Sequence, residues 1–328
     1  MARSASYRVD GRSTTIRHGF IRAPWDPERA NPEAPPLARM MHASRGGALR
    51  IKLYVTLLWM AGGGRDSRHS VNFPARAFAE LLDLPDPGGR GERRIREALK
   101  AFQRDGLIFL ESQPGMPSVI HLLQEDAADQ PYSRPGIHME RAKQAGETVD
   151  PAHLFVQLPA AFWTQGWSIV LNGPAIAMLL VLLVVTENGR KKSQWVSPSQ
   201  RVRYGLSDDT WTRGLAELVK HGLVDVRKMP VSRDFEWKRV RNTYSVDVGR
   251  LSESPASPTP NDAPKPTRRR ARRSSASRTP RPRTAAKQSA QEAEMVYRIL
   301  KAKTLKEAFA DPTAPRQGPG RRAKPRGG

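Results

Sequence analysis

The chain contains no cysteine. Disulfides, thiolate metal sites and a cysteine nucleophile are therefore excluded, and a reducing compartment suits it. Acidic residues are scarce. Asp and Glu number 32 against 55 Lys and Arg, a formal charge of +23 over 328 residues. A field of that sign concentrates phosphate-bearing partners and speeds their encounter, without by itself separating DNA from RNA or anionic lipid. Long apolar runs are missing as well. The most apolar stretch, Ile176–Val185, is bounded by Asn172-Gly173-Pro174 and Glu187-Asn188-Gly189. It falls far short of the ~20 residues that span a bilayer. It reads as a buried core helix, and no membrane partner is expected. Met1–Asp10 places no apolar stretch behind its arginines, so it is no secretory signal. The expected location is the cytoplasm, in association with the nucleoid.

The charge that is present is unevenly placed. Residues 251–328 carry 19 basic and 6 acidic groups, a net of +13, which leaves +10 for the first 250 residues. This C-terminal stretch is rich in Pro, Ser, Ala and Arg, with the run Arg268-Arg269-Arg270-Ala271-Arg272-Arg273. It has too little apolar surface to offset chain entropy, so residues 249–328 are expected to be a disordered basic tail. Within it, 288–310 places Met295, Val296, Ile299, Leu300, Leu305 and Phe309 at helical spacing. That pattern suits a short helix for a partner and equally a fraying helix in solvent. Residues 1–36, rich in Arg and Pro, read as a flexible arm. Two blocks remain, 37–125 and 155–248, joined by a polar linker at 126–154.

The two blocks share one plan. Each opens with an apolar helix, Leu49–Met60 or Pro174–Glu187. Each continues into a Pro-started short helix, at Phe73-Pro74-Ala75-Arg76 or Val196-Ser197-Pro198-Ser199. Each then has a longer helix that leaves through Gly-aliphatic-aliphatic, as Gly106-Leu107-Ile108 or Gly222-Leu223-Val224. Ile95, Leu99 and Phe102 in the first block correspond to Trp211, Leu215 and Leu218 in the second at a constant offset, which marks a diverged internal repeat.

The second copy carries the sharper motif. Ser197-Pro198-Ser199-Gln200 combines a capping serine, a proline for the first helical position and the Gln of a capping box. Gly205 supplies a left-handed turn, Ser207 caps the next helix, and Asp208-Asp209 suit its positive end. Two short helices joined by Gly-Leu-Ser form a helix-turn-helix, whose second helix is presented to a major groove. The wheel puts Trp211, Leu215, Leu218 and Val219 inward and Asp209, Arg213, Glu217 and Lys220 outward, with Thr210 and Thr212 on the flanks. Arg213 suits guanine O6 and N7, whereas Thr210 and Thr212 suit a phosphate or a thymine methyl. The plainer alternative for Arg213 is a surface pair with Glu217. After Gly222 the chain alternates as a hairpin, Val224–Lys228 and Val240–Val246, with Arg233, Trp237, Lys238 and Arg239 around its tip. A basic hairpin beside such a helix is a wing, suited to phosphate or minor-groove contact. Ser199, Lys220, Arg233, Lys238, Arg239 and Arg241 join Thr210, Thr212 and Arg213 as candidate DNA contacts.

The pattern Ser207-x-x-Thr210-Trp211-Thr212-Arg213-x-Leu215-x-x-Leu218-x-x-x-Gly222-Leu223-Val224 resembles the recognition-helix signature of bacterial winged-helix proteins. Phe155-Val156-Gln157-Leu158-Pro159 and Ala175–Leu183 resemble the strand and first helix that open such domains in plasmid and phage replication initiators. That resemblance implies two winged-helix units in one chain and binding to repeated origin sequences. It covers 155–248 well and 37–125 in outline.

The first copy departs from the pattern. Its turn is lengthened to Leu84-Pro85-Asp86-Pro87-Gly88-Gly89-Arg90-Gly91, and its helix carries Arg90, Arg93, Arg94, Arg96, Lys100 and Arg104. That density suits phosphate contact more than base readout. The weakly charged hairpin Ile108–Leu123, turning at Pro114-Gly115-Met116-Pro117, is expected to be short and off the DNA. The alternative role for this copy is dimerisation or protein docking.

Enzyme motifs do not accumulate. Gly189-Arg190-Lys191-Lys192-Ser193 lacks the upstream glycine of a phosphate loop, and the seven histidines show no metal spacing. His42-Ala43-Ser44-Arg45 has the His-x-x-Arg spacing of tyrosine recombinases, but Tyr54 follows too closely and the other catalytic elements are not evident. No catalytic residue, metal or cofactor is expected. The sequence thus predicts an α+β, mainly helical protein of two winged helix-turn-helix domains and a disordered basic tail. Its expected partner is double-stranded DNA, bound as monomer or homodimer, with replication or transcription machinery as candidates for the tail. Three roles stay open: a replication initiator, a transcription regulator, and an architectural protein that coats DNA.

Overall fold

The computed structural model describes residues 13–255 except 25, 27–31, 43–45, 63–68, 113, 128, 150 and 231–239. In chain order the elements begin with β1 (Thr14–Arg17), α1 (His18–Ile21), α2 (Pro36–His42) and α3 (Gly47–Gly62). They continue with β2 (Ser70–Asn72), α4 (Ala75–Leu81), a π-helical turn at Pro87–Gly91, α5 (Glu92–Arg104), β3 (Ile108–Glu111) and β4 (Val119–Leu122). Next are α6 (Pro135–Ala145), β5 (Phe155–Leu158), α7 (Ala161–Thr164), α8 (Trp167–Val170) and α9 (Gly173–Val185). The last are α10 (Pro198–Tyr204), α11 (Asp208–Lys220), β6 (Val224–Pro230), β7 (Val240–Val246) and a 3-10 turn at Gly249–Ser252. The fold class is α+β, as the sequence indicates.

The repeat extends to strand pairing. In the first copy β2 pairs antiparallel with β4 (Val71 opposite Ile120), and β4 pairs with β3 (Leu110 opposite Ile120). In the second, β6 and β7 pair from Val224–Val246 to Pro230–Val240. Gln194 takes the place of β2 by bridging Tyr244. Each copy is therefore a helix, a short extended segment, two helices and a hairpin whose returning strand receives that segment. Helix α9 is apolar on every side because it is buried on every side; Ala175 to Leu183 are all inaccessible. Among the described residues no helix is long and apolar enough to cross a membrane.

The two copies share a core. Buried side chains from both copies form one continuous cluster. Trp59 of α3 stacks on Trp163 of α7, with ring centroids 4.7 Å apart, and the Trp163 indole donates to Thr56 Oγ1 at 3.1 Å. Lys52 Nζ donates to the Ile169 carbonyl at 2.7 Å. Gly173, at the start of α9, lies so close to Ala48 that a Cβ there would sit 2.5 Å from the Ala48 Cα.

The terminal boundaries shift too. The arm was expected to run to residue 36, but β1 pairs antiparallel with β5, Ile16 opposite Val156, and Ile16, Phe20 and Ile21 are buried. A four-residue strand whose partner is more than a hundred residues away leaves no local periodicity to find. Residues 126–154 hold α6 rather than linker alone. The tail was expected from residue 249, yet Leu251 is buried, and Trp167 Nε1 donates to the carbonyls of Leu251 (3.1 Å) and Glu253 (2.9 Å). The 288–310 pattern lies outside the described residues.

The Leu251 contact makes a stability prediction. A chain ending at residue 255 serves as the reference. One ending at Arg250 loses a buried leucine and the Trp167 acceptors, so denaturant unfolding should read a loss of about 3 kcal/mol. Equal midpoints for the two truncations would show that the Leu251 contact contributes nothing.

Candidate nucleic-acid interface

The helix pair α10–α11 is built as its sequence dictates. Ser197 Oγ accepts from the Gln200 amide at 3.1 Å, and Gln200 Oε1 accepts from the Ser197 amide at 2.9 Å, a complete capping box. Gly205 ends α10 with φ +60, a conformation that favours glycine. Ser207 Oγ accepts from the Thr210 amide at 3.2 Å and starts α11.

Two anchors fix this pair to the scaffold. Arg203 donates through Nε (3.0 Å) and Nη2 (2.8 Å) to the Ala23 carbonyl, and the Ala23 amide donates back to the Arg203 carbonyl at 2.9 Å. Burial, reinforced by nearby Arg22, lowers the pKa of Arg203. Burial raises that of its neighbour Tyr204, keeping the phenol neutral. The second anchor is Gly214. A Cβ there would lie 2.3 Å from the Pro174 carbonyl oxygen and 2.6 Å from Met178 Cγ, so α11 crosses α9 at backbone contact.

That close crossing rotates α11 slightly from the expected wheel. Thr210, predicted to face DNA, is 6% exposed, and its hydroxyl accepts from Ser207 Oγ at 2.9 Å. It is removed from the readout edge. Val219, predicted to be inward, is 45% exposed. The inward face is Thr210, Trp211, Gly214 and Leu218, all buried. Thr212 and Arg213 remain exposed, with the Thr212 hydroxyl donating to the Asp208 carbonyl at 2.8 Å. Arg213 forms its i, i+4 ion pair with Asp209, not with Glu217. Glu217 instead lies 3.7 Å from Lys220 and 3.3 Å from His221. Ser199 is exposed at the start of α10, its hydroxyl 3.0 Å from Ser197 Oγ. Arg201 bridges α10 to α11, 2.6 Å from Asp208 and with its guanidinium 4.7 Å from the Trp211 ring centroid.

On the hairpin, Arg241 stacks on Trp195, a residue the sequence reading passed over. Arg233, Lys238 and Arg239 lie outside the described residues.

In the first copy Arg90, Arg93, Arg94, Arg96, Lys100 and Arg104 are all exposed. Arg93 pairs with Glu97 at 3.6 Å, Arg96 with Glu92, and Arg104 with Asp105 at 3.6 Å. Arg90, Arg94 and Lys100 have no ion-pair partner among the described residues. The extended turn is a π-helical turn, capped by Asp86, whose Oδ2 accepts from the Arg90 amide at 2.9 Å. A cleft of about 450 Å³ separates α5 from the hairpin and is lined by Leu99, Leu110, Met116 and Ile120, with Arg96 and Lys100 among its lining. Among the described residues no group of His, Asp or Glu is placed to hold a metal ion.

Comparison with protein-family models, curated proteins and solved structures finds no match to this chain.

The Gly214 crossing can be tested directly. Gly214→Ala must push α11 away from α9 and should cost roughly 2 kcal/mol or more by denaturant unfolding, despite alanine's better helix propensity. An unchanged or raised midpoint would contradict the close crossing.

Proposed function

We propose that this protein is a sequence-specific double-stranded DNA-binding protein built on two winged helices, with α11 as its main recognition helix. The observation that carries this reading is the capped α10–Gly205–α11 turn followed by the β6–β7 hairpin, a recurrent way of offering a helix to a major groove. The matching arrangement of α4, α5 and the β3–β4 hairpin supports a second unit in the same chain. In this reading Thr212 and Arg213 face base edges. Ser199, Lys220 and the hairpin cations meet phosphates, and the π-helical turn and α5 add phosphate contacts through Arg90, Arg94 and Lys100. The basic C-terminal stretch adds non-specific, salt-sensitive affinity by counterion release.

Asp209 sharpens the role of Arg213. Their pairing holds the guanidinium at the surface without burying it, and a guanine edge can replace the carboxylate. The salt bridge costs little to exchange because both partners are mostly exposed. Two such units fixed in one chain suit an initiator that marks a plasmid or phage origin. A transcription regulator is the second reading, since the same geometry serves an operator.

Arg213→Ala should lose preference for the bound sequence over random duplex by roughly tenfold or more, given ~1–3 kcal/mol for a bidentate base contact. Much of its non-specific affinity should remain. Competition binding with both duplexes measures this, and unchanged preference would exclude Arg213 as a reading residue.

A further inference from the structure

Helices α10 and α11 and strands β6 and β7 carry five arginines. Four of these already have polar partners: Arg201 with Asp208, Arg203 with the Ala23 carbonyl, Arg213 with Asp209 and Arg227 with Asp225. The fifth, Arg241, has neither an ion pair nor a hydrogen bond to its guanidinium among the described residues. Yet it is held in place. Its guanidinium carbon lies 4.0 Å from the ring centroid of Trp195. Trp195 follows the Gln194 bridge to Tyr244, whose amides and carbonyls exchange hydrogen bonds at 3.0 and 2.6 Å, and it precedes the Ser197 cap of α10. Trp195 is 41% exposed, unusual for tryptophan outside a contact surface.

Stacking orders a guanidinium through its face and leaves its in-plane N–H donors free. Such a group is prepared for an anion that offers two acceptor oxygens side by side, as the non-bridging oxygens of a phosphodiester do. The exposed part of the indole offers an apolar surface beside it, suited to a deoxyribose. We propose that Trp195 and Arg241 form a backbone clamp near the outer end of the β6–β7 pairing, where Arg241 lies opposite Met229, gripping a sugar–phosphate of duplex DNA next to the groove that α11 enters. Arg241 is the phosphate ligand, and Trp195 is its positioning residue and sugar contact. This inference rests on the DNA-binding reading above.

The test uses the full chain and a duplex of its preferred sequence. Arg241→Ala should weaken binding about tenfold on specific and random duplex alike, and should reduce the slope of log K against log salt by about 1. Trp195→Ala should weaken binding severalfold in the native background and clearly less once Arg241→Ala is present, when only its sugar contact remains to be lost, a coupling that general loss of structure would not produce. Subtracting the emission of Trp195→Phe from that of the native chain should reveal a tryptophan whose fluorescence changes on DNA addition. Unchanged affinity and salt slope in Arg241→Ala, or additive effects of the two substitutions, would overturn the clamp while leaving DNA binding intact. Failure of the native chain to bind any duplex would overturn both readings.

Discussion

A buried ion pair locks the strand that joins the two copies. Arg17, in β1, and Glu125, just past β4, are both 0% exposed and bonded to each other. Burial pushes the Glu125 carboxyl toward the neutral form, and the Arg17 guanidinium opposes that push. Arg17 Nη2 also donates to the Ser133 carbonyl and, at 3.1 Å, to Ser133 Oγ, and its guanidinium lies 5.5 Å from the Tyr132 ring centroid. Such a pair adds little net stability over an apolar replacement, but removing one partner costs several kcal/mol. Its worth is positional. β1 is paired to β5, which leads into the second copy, while Glu125 terminates the hairpin of the first. The pair therefore adds a polar lock to the α3–α7 and α3–α9 packing that already joins the copies.

That constraint shapes how DNA would be met. With α3, α7 and α9 packed into one core, α5 and α11 keep a set spacing instead of swinging on a linker. Binding then costs no ordering of one unit relative to the other, and the spacing of phosphate and base contacts becomes a property of the fold. The two helices differ in what they offer. α11 presents a short edge around Thr212 and Arg213, while the π-helical turn and α5 present Arg90, Arg94 and Lys100, exposed and without ion-pair partners among the described residues. In the proposed reading, sequence would be read mainly by the second copy, and phosphates would be held mainly by the first and by the basic C-terminal stretch.

Local chemistry was legible in the sequence. The Ser197 capping box, the Gly205 turn, the Ser207 cap and both hairpins stand where residue type demands them, because each is decided within a few residues. What was not legible depends on distant partners. Ile16 could not announce Val156, nor Arg17 announce Glu125, since neither lies in a periodic stretch. Nothing around Gly214 in the sequence marks it as a point where α11 approaches α9 at backbone contact. That approach turned Thr210 inward and Val219 outward, the two errors in an otherwise sound wheel. Trp195 went unremarked because its partner, Arg241, is set by a strand bridge rather than by spacing along the chain.

The central claim is that one rigid body reads sequence with α11 and holds phosphates with α5. Selection of duplexes from a random pool by the full chain tests it most directly. The account predicts enrichment of a short, defined motif flanked on one side by a protected but sequence-tolerant stretch at constant distance. A pool that remains random after repeated selection, or a motif whose distance from the protected flank varies freely, would contradict it.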